Sequence, residues 1–471
     1  MWHILLHESI CIVGADSLSQ TCDKGKDIVR SSFKRLFSRI VEKGFCVGCG
    51  TCVGACPSSA LRMKETNAGY YIPVCDEVAN CRGCEFCLDT CPALSMAIPS
   101  STNSPLSLMS YETNAPPLGS VEEAYIGYAK DQRIRTNGSS GGITSAILVY
   151  ALESGLIDGA IVVGMSKEQP WKPQVKIAKT REEIVEAAGS KYSVVPTNSI
   201  LQSLRKVSGK FALVGLPCHI RGLHMIQQRG SPAITNKISF NIGLFCGLNF
   251  KTTGTDYLLS KIGIKDPYMI RKLEYRHGYP GRFCVRLTDG AFQVANASAI
   301  LQLFRSEACT FCRDLTNEFA DISVGDIYSL HSRDSVGVIL TRTKVGEDIL
   351  LKAKCNRYLR TFRIGKTQVV ESQLTGLIYK KKGSIARKYL IDAKRQSSSF
   401  WHGNHNPRIP SSRQLTFEIM QHKIFFEGTS RFLIAMFKYL PLQLSTYVYG
   451  KVITLLFLLG KFFYGEEACQ T

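Results

Sequence analysis

No stretch of this 471-residue chain stays apolar long enough to span a bilayer, which takes about 20 consecutive apolar residues. The best candidate, Val452–Leu459, is far shorter and lies between Lys451 and Lys461. Met1–Ile10 has no basic cluster ahead of its apolar residues, and His7 and Glu8 interrupt them, so no export signal is expected. No G-x-G-x-x-G occurs where a strand should meet a helix, which removes the dinucleotide fingerprint. Acidic residues are scarce, 38 against 58 basic, for a net charge of +20. The deficit is uneven: residues 1–99 are neutral, while residues 370–471 carry 14 basic and 6 acidic groups. No nucleic-acid motif accompanies the charge, so nucleic acid is not an expected partner. An anionic cofactor, an acidic redox partner or a membrane surface each suits it.

Cysteine is abundant. Eighteen of them in a chain with 45% apolar and 20% charged residues describe a globular protein of two to four domains. They fall in metal-ligand spacings rather than in a small secreted scaffold, which favours a reducing cytoplasm. Cys46, Cys49, Cys52 and Cys56-Pro57, then Cys81, Cys84, Cys87 and Cys91-Pro92, form two copies of C-x2-C-x2-C-x3-C-P. Bacterial two-cluster ferredoxins hold [4Fe–4S] clusters with this run, each fourth cysteine serving the other cluster. Cys46, Cys49, Cys52 and Cys91 are thus expected at one cluster, and Cys81, Cys84, Cys87 and Cys56 at the second. Zinc or disulfides fit two matched copies much less well.

The expected organisation is an N-terminal extension and helix (1–41), with apolar residues at helical spacing over Ile28–Val41, then a ferredoxin-like domain (42–98). A linker rich in Pro, Ser, Thr and Asn follows (99–120). An α/β (α+β) redox domain occupies 121–377, and a basic, apolar helical tail 378–471. In the redox domain, strands are expected at Ala124–Ala129, Gly159–Gly164, Phe211–Leu216, Ile238–Leu244, Phe283–Leu287, Ile322–Val324 and Val336–Thr341. Helices are expected at Ile143–Leu152, Ile200–Val207 and Thr253–Ile262. In the tail, Lys380, Lys381, Lys382, Arg387, Lys388, Lys394 and Arg395 are opposed only by Asp392. Apolar stretches at Phe432–Leu440 and Val452–Phe463 could lie in a membrane interface or pack on the redox domain.

A second cysteine set stands apart: Cys218 and Cys246, each just after an expected strand, and Cys309 and Cys312 as C-x2-C. Three loops could bring these four to one metal. By ligand type zinc and [4Fe–4S] suit them equally, and simple burial is a third reading. The two clusters upstream favour iron–sulfur, because a relay needs a next stop. Ser139, Ser140, Gly141 and Gly142 open a helix, where backbone N–H groups can cradle an anion. Ser190, Lys191 and Tyr192 add a cation and a ring. His219, beside Cys218, is a weak candidate proton donor; a structural histidine is the commoner case.

The ordered set Ser139-Ser140-Gly141-Gly142, Gly189-Ser190-Lys191-Tyr192, Gly215-x-Pro217-Cys218, Phe245-Cys246-Gly247 and Cys309-x2-Cys312-Arg313-Asp314 running into Ala320–Asp326 resembles the coenzyme F-420 hydrogenase/dehydrogenase beta-subunit family. The resemblance covers roughly residues 120–370, with the two-cluster domain fused ahead. It implies FAD bound noncovalently beside a third [4Fe–4S] cluster on Cys218, Cys246, Cys309 and Cys312. It also implies electron exchange between a one-electron donor, ferredoxin or a partner subunit, and a two-electron organic acceptor such as the deazaflavin coenzyme F-420. An electron-transfer module serving a partner enzyme is the alternative. His219 stands where the family often has Gln, and the tail is outside the matched pattern. The expected location is cytoplasmic, with a peripheral contact on the inner membrane face as an option through the tail.

Overall fold

The computed structural model describes residues 32–75, 81–97, 116–278, 281–296, 298–328, 336–395 and 442–464, with the short pieces 414, 417–418 and 420. Residues 1–25, the start of the expected first helix, most of the linker and the Phe432–Leu440 stretch lie outside the described residues.

Two short strands, β1 (Leu61–Glu65) and β2 (Tyr71–Cys75), pair antiparallel in the front domain. They lie between the two cysteine motifs. Leu36 and Ile40 pack under them with Phe45, Val53, Leu88 and Leu94. Phe311 enters this small core from far along the chain, edge-on to Phe45 with centroids 5.5 Å apart.

The second part is built on an eight-stranded mixed sheet. In chain order its first strands are β3 (Glu123–Ala129), β4 (Gly159–Met165), β5 (Pro173–Ala178), β6 (Phe211–Gly215) and β7 (Ile238–Leu244). Next come β8 (Ile270–His277), β9 (Arg282–Leu287) and β10 (Phe292–Ala295), which form a separate three-stranded antiparallel sheet. The strands β11 (Ile322–Asp326), β12 (Gly337–Thr341) and β13 (Leu359–Arg363) complete the large sheet. Its order is β13-β3-β12-β11-β7-β6-β4-β5. The centre, β4, β6, β7 and β11, is parallel; the flanks are antiparallel.

Helices cover both faces, which is why β4 and β6 read as unbroken apolar runs. Alternation along each strand sorts the side chains. Ala160, Val162, Ala212 and Ile242 pack against the almost wholly buried Ile143–Glu153 helix. Ile161, Phe211 and Leu213 face the Pro217–Gln228 helix through Ile220 and Leu223. The expected Phe283–Leu287 strand exists but belongs to the small sheet.

The chain beyond 378 is not detached. The Ile378–Gly383 segment is π-helical and continues into the Ser384–Arg395 helix. Tyr449 and Leu456 of the Leu442–Tyr464 helix are buried with Tyr275, Phe283 and Ile300. Among the described residues no helix is long and apolar enough to cross a membrane.

Candidate metal centres and cofactor site

The two front motifs repeat in backbone as well as in sequence. Gly48 and Gly50 have φ of 67° and 80°; Gly83 and Glu85, at the same places in the second motif, have 68° and 58°. Left-handed residues at these points curl each short loop and turn successive N–H groups inward, the geometry that receives an anionic cluster. Glu85 takes the strained conformation without being glycine, and its carboxylate pairs with Arg35.

Cys46, Cys49, Cys52 and Cys91 line one small cavity, with Leu36, Ile40, Met63 and Pro73 among its other walls. Among the described residues no charged side chain lines it. Burial pushes the Cys46 thiol up to about 12, and the thiols of Cys49, Cys52 and Cys91 up as well. Four such thiols crowd one another as thiolates, so the cage suits them only when a metal takes their protons' place. The second set gathers around Cys87, whose thiol is raised to about 12 by burial foremost and then by Cys56, Cys84 and Cys81. Cys56 is buried and Cys84 is exposed, so this group reaches the surface.

The third set comes from the ends of neighbouring parallel strands. Cys218 starts the helix after β6, and Cys246 follows β7 by two residues. Cys309 and Cys312 occupy a tight 3-10 turn. The four converge: burial foremost raises the Cys218 thiol, and Cys49, Cys309, Cys246 and Cys312 raise it further. Cys246 is pushed up to about 12 by burial, with Lys380 acting in the opposite sense.

The glycine loop forms a second assembly on the same edge of the sheet. A short helix, Gln132–Asn137, intervenes between β3 and the loop. Ser140, Gly141 and Gly142 are then left-handed in succession. The Ser139 and Ser190 hydroxyls are 2.9 Å apart, so the two loops singled out by sequence meet. The Ser140 hydroxyl donates to Asp326 at 2.7 Å, and Arg276 of β8 binds the other oxygen of Asp326 at 2.6 Å. Lys191 folds back onto the carbonyls of Ala187, Ala188 (2.8 Å) and Gly189 (2.9 Å). Burial pushes its ammonium down to about 7, and the like charges of Lys176 and Lys272 add to this. Lys272 also reaches Asn137 at 3.3 Å and Glu274 at 3.2 Å. The Tyr192 ring packs edge-on to Tyr275 and Phe250. Asp326 ends β11, the parallel neighbour of β7, so this site and Cys246 lie at adjoining strand ends.

Residues 124–202 and 208–367 match the N-terminal and C-terminal parts of the family described as coenzyme F420 hydrogenase/dehydrogenase, beta subunit. Residues 45–95 match the 4Fe-4S dicluster domain. The chain is 32% identical over 256 residues to the coenzyme F420 hydrogenase subunit beta of Methanosarcina barkeri, a match spanning 51% of this chain and 84% of that one. The chain belongs to the coenzyme F420 hydrogenase/dehydrogenase beta-subunit family. It is also 32% identical over 346 residues to a coenzyme F420-dependent sulfite reductase of Methanocaldococcus jannaschii, across 66% of this chain but only 46% of that longer protein. A chain of the solved F420-reducing [NiFe] hydrogenase complex from Methanosarcina barkeri is 28% identical, with a TM-score of 0.49, over 62% of this chain and 98% of that one.

Within this beta-subunit domain His219 lies in the first turn of the Pro217–Gln228 helix. It is buried, its Nδ1 accepts the Leu216 N–H at 3.1 Å, and burial lowers it to about 4 despite a hydrogen bond to the Val195 backbone. The spacing of motifs did not reveal Lys176, Lys272 or Arg276, which come from strands of polar appearance. Nor did it reveal Lys380, which hides in a run of charge. That run is not the solvated face its composition suggests: Lys380 and Arg387 are buried and Lys381 pairs with Glu318. The small sheet carries a further trio, Glu274, His277 and Cys284, with ligand atoms within 4.8 Å of one another; its carboxylate already pairs with Lys272.

Proposed function

We propose that this protein is an iron–sulfur flavoprotein oxidoreductase that carries electrons between a one-electron donor and a two-electron organic acceptor. The observation that carries the reading is the convergence of twelve cysteines in three sets of four, each set lying beside the next in space: Cys52 and Cys91 interact with Cys87, and Cys49 with Cys218. Each set matches a [4Fe–4S] ligand set in number and donor type. Zinc fits less well, since a chain of adjoining thiolate cages has a purpose in electron transfer and none in structural metal binding. Cys84 at the surface marks the end where a ferredoxin or partner subunit delivers or collects electrons.

FAD fits the second assembly. Lys176, Lys191, Lys272 and Arg276 gather near the two loops, with Asp326, Glu274 and Glu183 as acidic neighbours. Such a cluster of cations calls for a phosphate-bearing ligand. Ser139, Ser140, Gly141, Gly142, Ser190 and Lys191 would hold its phosphates, and Tyr192 would pack near its rings. A bound flavin would supply the exchange between single electrons and a hydride. The chain's own part is to orient that group, balance its charge and keep it at the strand ends next to Cys246. The acceptor we propose is coenzyme F-420, because the M. barkeri and M. jannaschii relatives are named for it.

Anaerobic purification followed by a visible spectrum and iron and flavin analysis tests the reading. About twelve irons and one flavin per chain are expected, with F-420 reduced or oxidised on mixing. About eight irons without flavin would reduce the protein to a two-cluster module. Turnover only alongside a partner enzyme would favour the electron-transfer module, a role consistent with relatives that are themselves named as subunits.

A peripheral membrane contact belongs to the proposal too. The Leu442–Tyr464 helix buries one side and exposes Leu444, Tyr447, Val448 and Leu455 on the other, next to Lys451. Such a face suits a bilayer interface. Deleting residues 442–471 should abolish carbonate-sensitive membrane recovery; recovery unchanged by the deletion would end this part.

A further inference from the structure

We propose that Lys380, supplied by the segment beyond the matched family domain, is a fixed cation set against the third cluster that raises that cluster's reduction potential above that of the first front cluster. The inference rests on the third cluster being an iron–sulfur centre held by Cys218, Cys246, Cys309 and Cys312.

Lys380 sits in the π-helical turn Ile378–Gly383, between the Lys366–Leu377 and Ser384–Arg395 helices. Single π turns mark places where a helix is bent to present a particular side chain, often at functional sites. Here the side chain is 1% exposed. Its ammonium donates to the Cys309 carbonyl at 3.4 Å, a long contact, and among the described residues it makes no ion pair with a carboxylate. Neighbouring cations are treated differently. Lys381 pairs with Glu318. Arg387 pairs with Glu418 at 2.9 Å and donates to the carbonyls of Thr310 (2.8 Å) and Tyr379 (2.6 Å). Arg305 binds Gln302 at 2.9 Å.

A buried ammonium without a carboxylate is costly unless another anion faces it. The groups that act on Lys380 in that sense are Cys312, Cys246 and Cys309. A cluster with four thiolate ligands is anionic and gains one more negative charge on reduction. A cation held beside it in a medium of low dielectric therefore favours the reduced form. Among the described residues the first cluster's cavity has no charged side chain in its wall. The difference gives the relay a direction over its last step: downhill from the first cluster to the third and on towards the glycine loop. The tail is then part of the redox site, since it holds the C-x2-C turn from behind through Lys380 to Cys309 and Arg387 to Thr310.

The test is an EPR-monitored redox titration of the full-length, cluster-loaded protein, wild type against K380M and K380R. In K380M the reduced-to-oxidised ratio of the third cluster at a fixed potential should fall at least about tenfold, equivalent to ~59 mV for one electron, while the front pair stays put. K380R should keep the native midpoint. K380M with about twelve irons and an unmoved third midpoint overturns the proposal. If K380M does not take up the third cluster, K380R decides. Uptake at the native midpoint supports the charge role, and loss of the cluster from K380R as well overturns it in favour of simple packing. A wild type with about eight irons would instead remove the third cluster itself, which is a different failure, visible before any substitution is made.

Discussion

Cys49 of the front domain lies against Cys218 of the sheet domain, in a small apolar contact with Val47 and Ala308. The approach is built from both sides. The Asn198 N–H donates to the Cys49 carbonyl at 3.0 Å, and its side-chain amide spans Thr51 Oγ1 (2.9 Å) and the His219 carbonyl (2.7 Å). One asparagine thus ties the first motif to the Pro217–Gln228 helix, which carries Cys218 in its first turn. Clusters on these two sulfurs would be near enough for their spins to interact. In the fully reduced protein we expect EPR lines broadened by that coupling. C218S should leave about eight irons and simplify the spectrum to that of the front pair alone. Unchanged iron and an unchanged spectrum would defeat the ligand assignment.

Glycines make the joint close. A Cβ on Gly222 would fall 2.2 Å from Thr51 Oγ1 and 2.8 Å from its methyl, and one on Gly54 would fall 2.0 Å from the Asn198 carbonyl. G222V must therefore wedge the two domains apart. We expect about 1–3 kcal/mol of destabilisation, the usual cost of overpacking. We also expect slower passage of electrons from the front pair to the third cluster in stopped-flow reduction, with iron content unchanged. A G222V protein with wild-type melting and wild-type intercluster kinetics would show that the joint does not matter.

Lys191 gives a prediction with a definite sign. Its ammonium is lowered to about 7 by burial and by Lys176 and Lys272, against an ordinary value near 10.5. Between those two values the unfolded chain binds the proton and the folded, empty site does not. The flavin-free protein should therefore gain stability as pH rises from about 7 towards 10.5, and lack that gain below 7. Binding an anionic cofactor restores the proton. Above pH 7 the affinity for FAD should weaken, by up to about tenfold per pH unit for one coupled proton. K191M should bind weakly with the slope removed, as read by flavin fluorescence titration at several pH values. A K191M slope equal to wild type would mean another group carries the proton.

What the sequence revealed follows from what local chemistry can encode. The Ile238–Leu244 strand was readable residue for residue because its inner stretch is buried and mostly apolar, with only Ser239 and Asn241 polar. The flanking strands Pro173–Ala178 and Leu359–Arg363 were not, because exposed positions such as Gln174, Arg360 and Arg363 break the pattern. Strand Ile270–His277, with Arg271, Lys272 and Arg276, looks like surface for the same reason, yet it brings Arg276 to Asp326. The front cysteines were readable from spacing, since their cage is almost local. The grouping of Cys218, Cys246, Cys309 and Cys312 depends on parallel β6 and β7 ending side by side, which no spacing states. Lys380 was hidden most deeply, because a run of lysines carries no mark of which one turns inward.

The buried pair Arg387–Glu418 offers a test of how far the tail supports the third cluster. Glu418 is 1% exposed and Arg387 6%. Arg387 divides its donors among Glu418, the Tyr379 carbonyl and the Thr310 carbonyl, and Thr310 lies between Cys309 and Cys312. E418Q keeps the shape but leaves the guanidinium charge uncompensated in a dry setting. Breaking one side of a buried pair costs about 3–5 kcal/mol. Part of that cost should fall on the C-x2-C turn, because Arg387 can recover solvent only by letting go of Thr310. E418Q is therefore expected to melt earlier and to lose about four of its twelve irons on mild chelation, while both front clusters survive. The double variant R387M/E418Q removes the stranded charge and should recover much of the stability but not the hold on Thr310. Its third cluster should stay labile. Full recovery of both would show that the tail contributes packing alone and that the turn holds its cysteines unaided.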